Sequence, residues 1–156
     1  QLQLSPSSNA SSRLSTRYNH ALSEANYASV EWNSLQFSPD GKDILISCKD
    51  TGLVLIDSFD GYVKERFEGN TNDELLPLEG CFSPDGNWVL CGSSDGCINI
   101  WQNSTSASPN SQPRNQTPIF SLEGHAQPVH KVLFNHNYLV FASLSGRKLG
   151  FWIPGY

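Results

Sequence analysis

Positive charge is in short supply in this chain. Ten lysines and arginines face fifteen aspartates and glutamates, which leaves a formal net charge of −5. Direct nucleic-acid binding draws its affinity from a clustered basic face that neutralises phosphates, so no direct nucleic-acid contact is expected and a protein partner is. No apolar run approaches the roughly 18 residues of a membrane helix, and the first residues hold no hydrophobic signal core; neither a membrane nor export is expected. Cys-x-x-Cys pairs are missing too. The four cysteines, Cys48, Cys81, Cys91 and Cys97, fall within strand-like runs, where reduced, buried thiols of an intracellular protein are the expectation. His125, His130 and His136 have no carboxylate cluster beside them, and residues five apart on a strand point to opposite faces. No metal ion, other cofactor or small molecule is therefore expected.

Hydrophobic residues make up 38% of the chain and aromatic residues 11%, enough for one packed unit, but they are unevenly spread. Residues 1–26 hold seven serines and a single aromatic, Tyr18, and residues 103–118 consist almost wholly of Asn, Ser, Thr, Gln and Pro. Neither stretch can bury enough apolar surface to offset the entropy of ordering it, so both are expected to be disordered.

The remainder is repetitive. Phe37-Ser38-Pro39-Asp40-Gly41-Lys42 returns 45 residues later as Phe82-Ser83-Pro84-Asp85-Gly86-Asn87, each time followed by an alternating apolar run and a second turn. Repeats of about 40–45 residues that read as four short strands are the signature of β-propeller blades. The spacing predicts an all-β, partial propeller of about three blades, at approximately 27–67, 68–122 and 123–156, with 103–118 as a loop inserted between two strands of the second. Closed propellers have roughly four to eight blades, and the sequence contains no methionine. The chain is accordingly expected to be the C-terminal portion of a larger ring.

Within the first repeat, Trp32, Leu35 and Phe37 lead into the Pro39-Asp40-Gly41 turn, followed by strand-like runs Ile44–Cys48, Leu53–Ile56 and Tyr62–Phe67. The second offers Leu78–Phe82, Trp88–Cys91, Cys97–Trp101 and Ile119–Leu122; the third offers Val129–Phe134, Tyr138–Ser143 and Lys148–Trp152, after which Pro154 discourages a fourth strand. Short β-rich runs separated by Pro, Asp and Gly turns predict hairpins. Trp32 and Trp88, both in apolar strands, are expected in the core.

A turn Asp recurs six positions before the end of a strand, as Asp95 before Trp101 and Asp50 before Ile56, and Gly124-His125 precedes Trp152 by 27 positions. These residues resemble the WD-repeat family. The resemblance implies a buried chain of hydrogen bonds among an indole, a Ser or Thr hydroxyl, a His and the turn Asp, each donor needing an acceptor once water is excluded. Asp50, Ser93, Asp95, Trp101, His125 and Trp152 are the candidates, in a structural role. No repeat carries the whole set: Asn70 stands where the second repeat would have His, Gly146 replaces the Asp of the third, and Ile56-Asp57 replaces Trp-Asp in the first.

Gly92-Ser93-Ser94-Asp95-Gly96 matches the G-x-S-x-G nucleophile elbow, but that motif needs a strained strand-to-helix turn. Here it spans a strand-to-strand turn, so Ser94 is not expected to be catalytic and no enzyme activity is expected. Lys131, Arg147 and Lys148 are the candidate partner-binding side chains, able to meet an acidic or phosphorylated peptide.

Residues 30–156 are further similar to the WD-repeat subunits of COMPASS-type histone H3 lysine methyltransferase complexes. The similarity rests on Trp32, Leu35, Phe37-Ser38, Asp40-Gly41-Lys42, Ile44–Ser47, Leu55-Ile56-Asp57, Phe59, Gly61 and the closing Phe151-Trp152-Ile153-Pro154. It implies a nuclear, non-catalytic scaffold that holds a methyltransferase subunit and couples it to RNA polymerase II. Similar subunits serve the mRNA cleavage and polyadenylation machinery and a protein phosphatase 1 assembly. An adaptor of an unrelated cytoplasmic complex, such as a ubiquitin ligase, and a propeller hydrolase are the alternative readings.

Overall fold

The computed structural model describes residues 31–50, 52–104 and 111–153. The serine-rich segment 1–26 and Pro154 lie outside the described residues. The strands are β1 (Trp32–Phe37), β2 (Asp43–Cys48), β3 (Gly52–Asp57), β4 (Val63–Phe67), β5 (Gly80–Phe82), β6 (Trp88–Gly92), β7 (Cys97–Gln102), β8 (Arg114–Gln116), β9 (Phe120–Glu123), β10 (Val129–Phe134), β11 (Phe141–Ser145) and β12 (Lys148–Trp152). They form three sheets in the orders β1-β2-β3-β4-β8, β5-β6-β7-β9 and β10-β11-β12. The expected all-β, partial-propeller architecture is what the chain adopts, with one sheet per repeat and a three-stranded last sheet.

The duplicated turn motif builds the same turn twice. In the first copy the Ser38 hydroxyl donates to Asp40 Oδ1 at 2.7 Å and accepts from the Asp43 amide at 2.9 Å, while the Lys42 amide donates to Asp40 Oδ1. Ser83, Asp85, Asn87 and Trp88 repeat the pattern at the head of β6. Gly41 and Gly86 close these turns at φ of 74° and 73°, a left-handed conformation that glycine adopts without a Cβ clash. In the third repeat Asn135 does this work, its Oδ1 accepting from the amides of Asn137 and Tyr138. That turn extends to Val140, so β11 starts at Phe141 and Tyr138, expected in the strand, sits outside it and exposed.

Central strands covered on both faces read as continuous apolar runs, and the sheets pack face to face through them. Leu45, Leu53, Leu55 and Phe67 of the first sheet meet Phe82, Val89, Cys91 and Trp101 of the second. The other face of the second sheet, with Cys81, Leu90 and Ile98, closes on Val129 and Val132 of the third, with Trp88, Phe141 and Trp152 at the margin.

The expectation for Trp32 is corrected. Trp32 is not in the core but 47% exposed. It begins the edge strand β1, beside a register shift, and β1 turns Gln36 toward the second sheet, where it meets the Phe82 amide; Leu35 and Phe37 face away and are exposed. Trp88 is half-buried and lies against Phe120, ring centroids 6.1 Å apart.

The 103–118 insert, expected to be disordered, carries β8, which pairs in parallel with β4 of the preceding sheet. The composition argument weighed apolar burial only, whereas polar bonds hold this segment. Gln116 Nε2 donates to Glu65 Oε2 at 2.6 Å, the Ser104 hydroxyl donates to Glu65 Oε1, and Arg114 donates to Ser104 at 2.8 Å. Residues 105–110 of the insert lie outside the described residues.

Candidate functional site

The predicted network residues fall into two different arrangements. In the third sheet the Trp152 indole donates to Ser143 Oγ at 2.7 Å, and the same hydroxyl bonds His125 Nε2 at 2.7 Å. Gly150 makes room for this: a Cβ there would lie 2.8 Å from Ser143 Oγ and 3.1 Å from His125 Nε2. Ser143, buried at the centre, escaped the sequence reading. Its signal was positional, being the small polar residue two places beyond Phe141, the cross-strand partner of Trp152.

The second sheet is wired differently. Trp101 donates to the main-chain carbonyl of Glu68 at 3.0 Å, and no hydroxyl is involved. Counting from its cross-strand partner Val89, Cys91 stands where Ser143 does and Asn99 where Gly150 does. Asn70, in the place of His125, accepts from Asn99 Nδ2 at 2.7 Å and donates to the Gly92 carbonyl at 3.1 Å. Ser93 is two residues further along, and its Oγ accepts from the Thr71 amide and shares a hydrogen bond with the Thr71 hydroxyl. Asp95 accepts from the Cys97 amide inside its own turn. Trp101 therefore stands apart from Ser93 and Asp95, which interact with each other.

In the first sheet Asp50 is an exposed turn residue, and Ile56 offers no donor. The polar centre of that blade is Lys64 instead, buried between Asp43 Oδ1 at 2.5 Å and Asp57 Oδ2 at 3.1 Å. Burial opposes ionisation of Asp57, but amide bonds from Asp60 and Phe59 together with Lys64 outweigh it and hold the carboxyl below its ordinary range.

Few of these groups are free for chemistry. Ser94 lies on the β6–β7 turn with its amide donated to Thr71. His125 is committed to Ser143. Burial pushes the thiols of Cys81 and Cys91 up to about 12, so they stay protonated and poorly nucleophilic at neutral pH. All four cysteines are free thiols, as expected, though Cys97 is only half-buried.

The three basic candidates are not alike. Lys131 is paired with Glu79 at 2.9 Å, beside a main-chain bridge that joins the second and third sheets. Arg147 and Lys148 occupy the exposed β11–β12 turn. Apolar side chains crowd the outer side of the last sheet, where Leu149 and Phe151 are 60% and 69% exposed.

Comparison with known proteins settles the family. A family model described as "WD domain, G-beta repeat" matches residues 78–102, the stretch that contains the second duplicated turn and Trp101. The chain is a WD-repeat protein. It is 36% identical over 124 residues, 80% of its length, to WD repeat-containing protein 82 of Drosophila melanogaster. It is 30% identical over 118 residues, 72% of its length, to COMPASS component SWD2 of Saccharomyces cerevisiae. Those alignments take in 36% and 35% of the relatives, so the chain spans about a third of the length of the curated relatives it matches. Among solved structures, the WD40 repeats of RRP9 superpose with a TM-score of 0.62 at 18% identity, over 80% of this chain and 36% of the other, a likeness of fold.

Proposed function

We propose that the chain is part of a non-catalytic scaffold in a nuclear multiprotein complex, of the COMPASS histone H3 lysine methyltransferase type or of the mRNA cleavage and polyadenylation machinery. The observation that carries this reading is the sequence relationship to a protein named as a COMPASS component. Two physical features support it. His125, Ser143, Asn70 and Asn99 are spent on internal hydrogen bonds, and large apolar side chains such as Leu149 and Phe151 are exposed. The direct partners on this reading are a methyltransferase subunit, RNA polymerase II or polyadenylation factors.

Affinity purification of the natural gene product from nuclear extract, with mass spectrometry of its companions, tests the assignment. Methyltransferase or polyadenylation subunits in stoichiometric amounts are the expected result. Recovery of neither, or of ubiquitin-ligase subunits in their place, overturns it.

A further inference from the structure

The two copies of the duplicated turn lie side by side. A Cβ on Gly86 would lie 3.5 Å from Pro39 Cδ, and beside this contact a cavity of about 250 Å³ opens, lined by Asp40, Asp43, Asp85 and Asn103 among others. Asp43 is already neutralised by Lys64. Among the described residues Asp40 Oδ2 pairs only with Lys42 of its own turn, at 3.2 Å and with both side chains at least half exposed, a pairing worth little in water. Asp85 Oδ2 accepts a single neutral bond, from Asn87 Nδ2. The cavity therefore presents two carboxylates without strong cationic partners.

Asn103 gives independent evidence of what the cavity lacks. Its main-chain amide donates to the Asn87 carbonyl and its Nδ2 donates to the Gly86 carbonyl, both at 2.8 Å, which fixes the orientation of the amide. The residue is only 8% exposed, yet among the described residues its Oδ1 has no hydrogen-bond partner. A buried acceptor left unpaired is costly, so the site is short of a donor. Asp40, Asp85 and Asn103 Oδ1 are all acceptors. Among the described residues no set of His, Cys, Asp and Glu is arranged to hold a metal ion. A guanidinium fits, because its fork of N–H groups can bond a carboxylate and a carbonyl together.

A second cavity, of about 280 Å³, shares Asp85 and runs toward the third sheet, walled by Pro84, Trp88, Phe134, Tyr138 and Leu139. Tyr138 and Leu139 are exposed although apolar. One cavity wants a cation and the next an apolar side chain, and they meet at a single residue.

We propose that the face built by the β1–β2, β5–β6 and β10–β11 turns binds an extended segment of a partner protein, seating an arginine between Asp40, Asp85 and Asn103 and a neighbouring aromatic or branched apolar side chain against Trp88. The net negative charge of the chain favours approach of such a segment. The inference takes from the scaffold reading only that the partner is a polypeptide, and it holds whichever complex the chain serves.

Titration of the full chain with the blocked peptide acetyl-Arg-Ala-Trp-amide, followed by ¹H–¹⁵N NMR, tests it. Saturable shifts are expected at Gly86, Asn87, the Asn103 side-chain amide and the Trp88 indole. Asp40→Asn and Asp85→Asn keep the turn's acceptor oxygen but remove charge, and each should weaken binding roughly three- to tenfold. Lys42→Gln removes the competing cation and should strengthen it, which guards against reading a folding defect as a binding defect. Replacing the peptide arginine by glutamine should abolish the shifts at Asn103 while leaving weaker ones at Trp88. Absence of saturable shifts, shifts centred elsewhere, or affinity unchanged in both Asp variants overturns the proposal. So does a change at these same resonances on deleting residues 1–26 without peptide, which would make the chain's own segment the occupant. Failure of the complex assignment leaves binding of this peptide untouched, and the reverse, so the two readings fail separately.

Discussion

Asn99 donates to Asn70 across 2.7 Å in the second sheet, at the two positions that Gly150 and His125 occupy in the third. The exchange is concerted. A glycine leaves room for an imidazole to reach a hydroxyl, and an asparagine fills that room and reaches a shorter partner.

Asn70→His alone should be poorly tolerated, because the ring would meet Asn99 and strip its amide of an acceptor. The expected loss is about 1–3 kcal/mol. Adding Asn99→Gly should recover most of it, and Cys91→Ser should recover more. Urea unfolding of the single, double and triple variants measures the coupling; strictly additive losses would contradict the shared-space account.

Ser143→Ala removes the atom that the Trp152 indole and His125 both use. About 1–3 kcal/mol of stability should go with it. Trp152→Phe made in the Ser143→Ala background should cost less than in the parent, since the indole donor is then already unpaired.

Lys64→Met leaves Asp43 and Asp57 facing each other inside the first sheet, and about 3–5 kcal/mol is the expected cost. Replacing all three by apolar residues of matched volume should lose far less. The acid limb follows the same residues. Asp57 and Asp85 titrate below their ordinary 3.8, and Asp40 at about 2 through its bond from Ser38. A carboxyl whose folded-state pKa is depressed contributes stability that is present above its unfolded value and lost as pH falls through the folded one. Urea midpoints should therefore hold down to about pH 4 and decline toward pH 2, less steeply in Asp57→Asn.

Glu65 has the opposite sign. Burial raises its pKa above the ordinary 4.5, against bonds from Ser104 and Gln116. Its contribution is present below 4.5 and is lost as pH rises through the raised folded value. Glu65→Gln should leave stability at pH 7 within about 1 kcal/mol and flatten this loss above pH 4.5. Glu65→Ala should instead speed amide exchange at Arg114–Gln116 while sparing β2 and β3.

The strand runs, the two Ser-Pro-Asp-Gly turns and the pairing of repeats with sheets were legible because local rules and tertiary packing agree there. Ser143 and Cys91 were not, because the network position is defined by cross-strand register and no motif marks it. Reading Ser93 as the hydroxyl of the second blade placed it two residues too far along the strand. Trp32 misled for a related reason: an aromatic in an apolar strand says nothing about which face it takes when a bulge intervenes. The Asp40–Asp85–Asn103 cavity joins residues from two separate turns and the segment after β7, and its unpaired oxygen is visible only in three dimensions.

Beyond holding two blades together, β8 alters how the molecule meets others of its kind. The far rim of a sheet is a template for strand addition and, through it, for fibril growth. Here three residues of a Ser/Asn/Gln-rich connection already take the hydrogen bonds of Glu65–Phe67. Shortening that connection would uncover the rim, and the first symptom should be self-association during refolding with the blade core still intact.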